Sequence, residues 1–291
     1  VTEYRGRFAP TPSGPLHFGS LFAAVVSYLD AKANNGAWLV RIDDLDPPRE
    51  QPGAAKRILT TLENHGLHWD EHITYQSKNN MLYQEKLDDL QRRGRVFWCQ
   101  CSRKKLIGHQ VYPGTCRHNK SLLDKSAVRL RVTTGEDSFV DLFQGEQSAH
   151  LREDFGDVVL KRRDQLYAYQ LAVVCDDIEQ NISHVIRGID LMHSTYWQRE
   201  LYRTFDQPLP QYGHFPVLHA ENSTQKLSKQ NLAPAVNEQQ VIRNFKMVFK
   251  LLQIPIDIDT PENMLQQAVS RWQPNVLCLK QRLHISEIGL D

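Results

Sequence analysis

The sequence predicts an α/β fold built on a parallel sheet, and three observations predict it. Strand-like and helix-like segments alternate from the first residues; the helix-like segments close at glycine or Asn-Gly stops; and a Pro/Gly-rich loop falls at the carboxyl end of the first strand. Arg5 to Phe8 reads as that strand, followed by the rigid loop Pro10-Thr11-Pro12-Ser13-Gly14-Pro15. A helix is expected from Phe18 to Ala33, because Leu21, Val25, Leu29 and Ala33 recur every fourth position and Asn34-Asn35-Gly36 supplies the stop. Trp38, Val40 and Ile42 alternate against Leu39 and Arg41, the pattern of a strand, which completes a βαβ unit. Two more amphipathic helices follow, one with Ile58, Leu59 and Leu62 closing at Gly66, the other with Leu82, Leu87 and Leu90 closing at Gly94.

The pattern changes between Val96 and about Glu153. Cysteines appear, then Val128, Leu130 and Val132 alternate with Arg129 and Arg131, then a strand runs from Ser138 to Phe143; a β-rich insertion is the expectation. The α/β alternation resumes near Asp157, with a helix around Tyr169 to Cys175, a strand at His184-Val185-Ile186 and a helix from Ser194 to Phe205. Arg187-Gly188 leaves that strand at its carboxyl end, where ligands bind in such sheets. Past Lys229, Val241, Phe245, Val248 and Phe249 mark one more helix, and Trp272 and Leu277 a small packed end. The division expected is 1–95 and 154–235 for the two halves of the α/β domain, 96–153 for the insertion and 236–291 for a small helical C-terminal region.

Composition bounds the function without choosing it. Hydrophobic residues make up 41% of the 291, enough for one sizeable core or two smaller ones. No apolar run reaches the length of a membrane span and Val1 to Gly6 lacks the pattern of a signal peptide, so a cytoplasmic monomer is expected, with no membrane partner. Net charge is only +1, so a nucleic-acid partner has to be met by local patches such as Arg103, Lys104, Lys105, Lys161, Arg162 and Arg163. The odd number of cysteines, 5, with Cys99, Cys101 and Cys116 crowded together, argues for metal before disulfides.

Two motifs carry chemistry. Arg7-Phe8-Ala9-Pro10-Thr11-Pro12-Ser13-Gly14 runs into His17-Phe18-Gly19-Ser20 at a helix start, where unpaired N–H groups can hold a phosphate chain. Gly19 lets an adenine or ribose lie against the backbone, and His17 can donate to a phosphoryl oxygen as charge develops on it. The second motif, Lys226-Leu227-Ser228-Lys229-Gln230, sets two lysines in a loop that can close over a triphosphate. In this order the two resemble the paired signatures of class I aminoacyl-tRNA synthetases.

Charge then speaks to the amino acid. Arg7 and Arg187 are the best-placed cations for a side-chain carboxylate, Asp43 follows the second strand and can meet an ammonium group, and Tyr169 can add a hydroxyl. The segments around them, Arg7 to Gly14, Arg41 to Asp46, Asp157 to Arg163, Val173 to Asp177, Arg187 to Asp190 and Lys226 to Lys229, resemble the glutamyl-tRNA synthetase group over most of the chain. The resemblance implies a Rossmann-like class I catalytic domain that activates L-glutamate with ATP and Mg2+, with Thr11 among the glutamate contacts and His17 and Lys229 as catalytic groups. It departs from the group's pattern at Asp43, where a glutamate is usual, at Gln165, in place of a turn glycine, and at Gln170, in place of an asparagine. A chain without a second domain resembles the truncated branch of that group, which implies queuosine in the anticodon of tRNA(Asp) as acceptor. Charging of a tRNA 3′ end, or a non-catalytic RNA-binding role, are the competing expectations.

The cysteine segment reads as a structural zinc site lacking a fourth ligand. Imidazole is the ordinary companion of thiolate, which favours His109 or His118. The resemblance implies instead the oxygen of Tyr112, in Tyr112-Pro113-Gly114-Thr115-Cys116, with His118 second.

Overall fold

The computed structural model describes residues 3–119, 125–219 and 235–284. Strand β1 (Arg5–Phe8), helix α1 (Phe18–Ala33) and strand β2 (Ala37–Ile42) form the expected βαβ unit, with β1 and β2 parallel and Phe8 opposite Val40. The stop after α1 is steric as well as conformational. Asn35 takes a left-handed φ of 53°, and a Cβ on Gly36 would lie 2.5 Å from the carbonyl oxygen of Tyr4, so the return into β2 has room only for glycine. Helix α2 (Ala54–Asn64) leads to the short strand β3 (Thr74–Tyr75), which adds to β2 in parallel, and helix α3 (Asn80–Arg92) follows.

The insertion is antiparallel. Strands β4 (Val96–Cys99) and β5 (Ala127–Leu130) pair, β6 (Glu136–Asp141) and β7 (Gly145–His150) form a hairpin, and β8 (Val159–Lys161) completes a sheet in the order β4-β5-β8. The sheet therefore reaches past Glu153, where the sequence pattern placed its end; the apolar Val159 and Leu160 are followed at once by charged residues and carry too short a signal to assign. Ser138 to Phe143 is likewise one arm and the turn of a hairpin, its alternation hidden because β7 is almost wholly polar.

Helix α4 (Tyr169–Glu179), strand β9 (His184–Gly188), helix α5 (Met192–Thr204) and strand β10 (Gln211–Phe215) restore the parallel pattern, β9 pairing with β10. Gln165, the departure from a turn glycine, sits before α4 with a φ of 70°, in the region glycine prefers. Strand β9 lies beside β1: Ser183 N–H donates to the carbonyl of Arg5 at 3.0 Å and Arg5 N–H to Ser183 Oγ at 2.8 Å. From β1 the order thus runs outward to β2 and β3 on one side and to β9 and β10 on the other. A crevice opens at such a reversal, at the carboxyl ends of the strands.

Strand β11 (Val217–His219), helices α6 (Val241–Leu251) and α7 (Pro261–Ser270) and strand β12 (Arg282–His284) complete the described chain, β12 pairing parallel to β11. Helices α6 and α7 wall the first of two main cores: Phe245, Phe249, Met264 and Leu265 pack with Phe22, Val25, Trp38 and Ile58. Each such aromatic contributes about 1.5–3 kcal/mol by burial. The second core joins α3, α4, α5 and the insertion sheet through Tyr83, Leu90, Trp98, Leu130, Leu160 and Leu201. No described helix is long and apolar enough to cross a membrane.

Candidate active site and metal centre

A cavity of about 640 Å³ opens at the carboxyl ends of β1 and β9. Its lining holds every described residue that the sequence assigned to ATP or the amino acid: Arg7, Thr11, His17, Gly19, Asp43, Tyr169 and Arg187. Lys226 and Lys229 lie outside the described residues. The chain on either side of them is anchored at this cavity, since Val217 and Leu218 of β11 line it, Ala235 bridges to His17, and Val236 N–H donates to the Leu16 carbonyl at 2.8 Å.

His17 is the N-cap of α1. Its Nδ1 accepts from the Ser20 N–H at 3.3 Å, which places the ring proton on Nε2, 2.9 Å from Ser20 Oγ. With the first turn of a 16-residue helix behind it, this corner of the cavity is electropositive and suited to phosphate.

Behind the cavity-lining Arg7 and Asp43 lies a buried ionic network. Arg7, 4% exposed, holds Asp177 with Nε and Nη2 at 3.2–3.3 Å. Arg41, 0% exposed, donates from Nε to Asp43 at 2.8 Å and from Nη1 to Asp177 at 2.6 Å and Gln180 at 3.0 Å. Asp176 beside them takes the hydroxyl of Tyr83 and the amides of Gln76 and Asn79. Burial pushes the Asp43 carboxyl up to about 6 even though Arg41 pulls it down, whereas the two arginines hold Asp177 below the usual carboxylate range against its own burial.

Arg187 differs. At 6% exposed it donates to His214 Nε2 (3.2 Å), Tyr169 Oη (3.4 Å), Thr195 Oγ1 (2.7 Å) and the Leu191 carbonyl (3.4 Å), all of them neutral. Sequence reasoning ranked Arg7 and Arg187 together as cations for a substrate carboxylate; the geometry separates them, because Arg7 is already matched by Asp177.

At the insertion, the Sγ atoms of Cys99, Cys101 and Cys116 lie within 4.8 Å of one another. The Tyr112 hydroxyl stands among them, 3.4 Å from Cys99 Sγ and 3.9 Å from Cys101 Sγ, and Cys101 and Cys116 are 3.6 Å apart. A tetrahedron around an ion with metal–sulfur bonds of ~2.3 Å and a metal–oxygen bond of ~2.0 Å has edges of about 3.5–3.8 Å. Three of the six donor–donor edges, at 3.4, 3.6 and 3.9 Å, match that size, so the three thiols with the phenol oxygen beside them could hold a metal ion such as zinc. Neither histidine joins them among the described residues: His109 is exposed, and His118 lines a different hollow with Gln91 and Trp98. Arg129 lies over the Tyr112 ring at 4.1 Å, fixing its plane.

Residues 3–254 match the model of the class I tRNA synthetase catalytic domain of the glutamate and glutamine type. The chain belongs to that family. This class I synthetase, a ligase by membership, is 45% identical over 296 residues to a protein of Photobacterium profundum named glutamyl-Q tRNA(Asp) synthetase, covering 99% of this chain and 93% of that one. Proteins of the same name from Idiomarina loihiensis (46%, covering 92% and 96%) and Acinetobacter baylyi (43%, covering 97% and 97%) are similar. In fold the synthetase superposes on the crystal structure of a glutamate tRNA ligase of Elizabethkingia meningosepticum in complex with its amino acid, with a TM-score of 0.82, 21% identity and coverage of 98% and 68%.

Several residues that shape the synthetase's pocket carry no motif. Asp177 and Arg41 fell in segments that resemble the family, but their role as the ionic floor depends on partners 136 residues apart in sequence. The available signal was two adjacent acids, Asp176 and Asp177, at the end of the apolar helix run Leu171 to Cys175. Gln170, the departure from asparagine, turns away from the cavity lining and bonds Ser194 and Gln198, both at 2.9 Å. Of the basic groups expected to meet RNA, Arg162 pairs with Asp46 and Asp164, and Lys161 lies over the Tyr167 ring.

Proposed function

We propose that the chain activates L-glutamate with ATP to glutamyl-AMP, without requiring tRNA, and transfers the glutamate to the queuosine base in the anticodon of tRNA(Asp). The observation that carries the glutamate assignment is Arg187, a buried cation surrounded by neutral hydrogen-bond partners and lining the cavity. Among the described residues none is ion-paired with Arg187, and a substrate carboxylate would be that partner. Asp43 on the far wall receives the ammonium group, while Tyr169, Thr11 and Arg7 complete the outline of the pocket.

With glutamate so held, a carboxylate oxygen attacks the α-phosphorus of ATP. The new O–P bond forms as the bond to the bridging oxygen breaks, and pyrophosphate leaves; Mg2+, when bound to the triphosphate, would neutralise part of its charge. His17 Nε2–H, the amino end of α1 and the lysines Lys226 and Lys229 offset the charge that builds on the phosphate oxygens. A hydroxyl of the queuosine cis-diol, a stand-in for a terminal ribose, then attacks the adenylate carbonyl and AMP departs. The names of the relatives, glutamyl-Q tRNA(Asp) synthetases, support the acceptor. Zinc held by Cys99, Cys101, Tyr112 and Cys116 would be structural, since a closed four-ligand site leaves no position for substrate. A monomer working in the cytoplasm belongs to the same proposal.

The test offers the purified protein ATP and labelled glutamate with tRNA(Asp) bearing or lacking queuosine. Glutamate-dependent ATP–pyrophosphate exchange without tRNA, and label on the modified anticodon base only, are expected. Equal labelling of both tRNAs, or label on the 3′-terminal adenosine, restores the ordinary synthetase reaction; absence of exchange with glutamate removes the substrate.

A further inference from the structure

Arg187 has to present its fork of donors in one plane to take a carboxylate through two parallel hydrogen bonds, and its long side chain does not hold such a plane unaided. The groups that hold it stand behind the pocket. Arg187 Nε donates to Nε2 of His214 at 3.2 Å, Nη2 donates to Oγ1 of Thr195 at 2.7 Å, and the ring of Tyr212 lies 5.6 Å from the guanidinium carbon. A guanidinium only donates, so His214 Nε2 is the acceptor and the imidazole proton sits on Nδ1. That proton meets Asp141 Oδ2, 2.6 Å away.

Asp141 is itself over-determined. Its Oδ1 accepts the backbone N–H groups of Phe143, Gln144 and His214 at 2.9–3.0 Å, and Gln144 Nε2 returns a bond to the His214 carbonyl at 2.7 Å. The turn of the β6–β7 hairpin is thereby wrapped around one histidine of β10. Asp141, His214 and Thr195 are all buried, and none is among the lining residues of the cavity. Burial keeps His214 below the ordinary histidine value although its bond to Asp141 pulls upward, which agrees with a neutral ring.

We propose that Asp141, His214 and Thr195 form a positioning relay for Arg187: Asp141 fixes the tautomer of His214, and His214 with Thr195 fixes the plane in which the guanidinium meets the substrate carboxylate. The proposal rests on the glutamate assignment made above and extends it to residues that never touch substrate. It also makes the hairpin, which the sequence groups with the insertion, a support of the amino-acid pocket.

Two uncharged variants of similar shape separate positioning from mere packing. His214→Asn keeps a donor where Nδ1 meets Asp141 but loses the acceptor for Arg187; His214→Gln places a carbonyl oxygen near the Nε2 position and gives up Asp141. In glutamate-dependent ATP–pyrophosphate exchange, losing one hydrogen bond to a charged group predicts a rise of about tenfold or more in KM for glutamate with His214→Asn, with KM for ATP unchanged. His214→Gln is expected to stay within about threefold of wild type by the same measure. The reverse ranking, or an equal rise in both KM values, overturns the relay. If either variant melts well below wild type, Thr195→Val and Thr195→Ser repeat the comparison, only the valine raising KM for glutamate. Wild-type protein with no glutamate-dependent exchange removes the substrate assignment and the relay with it. Normal wild-type exchange with unchanged KM in every variant removes the relay alone.

Discussion

Replacing Arg187 and Arg41 in turn by methionine distinguishes a cation kept for substrate from one kept for the fold. Arg187 has four neutral partners, so Arg187→Met breaks hydrogen bonds to a charged group, worth about 1.5–3 kcal/mol each at good geometry, while also removing the cost of several kcal/mol of holding a cation out of water; the two largely offset each other. Arg41 is bonded to Asp43 at 2.8 Å and Asp177 at 2.6 Å, so Arg41→Met strands buried carboxylates at a cost of about 3–5 kcal/mol. For a chain of this size that is a fall in Tm of roughly 5–8 °C, against less than about 3 °C for Arg187→Met. Activity should rank the other way. Removing one partner of a desolvated charge pair costs ~2–5 kcal/mol in binding, so glutamate-dependent exchange by Arg187→Met should lose roughly 30-fold to several thousandfold in kcat/KM for glutamate. KM for ATP should not move. Calorimetric melting and exchange kinetics on the same preparations are the assay. An Arg187→Met protein that melts as low as Arg41→Met, or that loses ATP and glutamate alike, would show that Arg187 is one more strut of the ionic wall.

The Asp43 carboxyl, pushed up to about 6, has to be ionised to receive an ammonium group. As pH falls through about 6 it gains a proton, so kcat/KM for glutamate should drop about tenfold per unit below that point while kcat/KM for ATP does not follow; a glutamate profile flat down to pH 5 would refute the role. Elemental analysis should find one zinc per chain, and Tyr112→Phe should lower that content while His118→Ala does not. Stripping the metal should loosen the insertion, read by proteolysis between β4 and β5, and leave adenylate formation in place. Lys229→Ala should cut glutamate-dependent exchange by about 10²–10³, because a cation expected to offset transition-state charge is removed; near-normal exchange would unseat the second motif.

What the sequence made legible were features whose cause is local. The period of α1, its Asn34-Asn35-Gly36 stop and the alternation of β2 follow from neighbours a few residues apart, and so do the loop that sets His17 and Gly19 at a helix start and the place of Arg187 near the carboxyl end of β9, although the strand runs through Gly188 and not only to Ile186. Features made by distant partners were illegible. Asp177 reads as an ordinary helix-end acid until Arg7 and Arg41 arrive from two other strands, and His214 reads as one more residue of an aromatic stretch until the β6–β7 turn closes over it. At the cysteine cluster donor preference alone points to imidazole, while the resemblance points to Tyr112; the structure puts the Tyr112 hydroxyl 3.4 Å from Cys99 Sγ and His118 in a different hollow.

The packing of α6 and α7 against α1 sets a condition on how the chain is made. Leu21, Phe22, Val25 and Leu29 leave the ribosome early, yet Phe245, Phe249, Met264 and Leu265, which cover part of the same core, follow more than 200 residues later. At ordinary synthesis speeds of about 5–20 residues per second, that interval is about 10–50 s. The β1–β9 junction, joining Arg5 to Ser183, has to wait in the same way. Throughout that time a strongly apolar helix lacks its cover. The yield of native protein should therefore respond to translation rate and to the supply of holding chaperones more than to any change in the propensity of α1 itself.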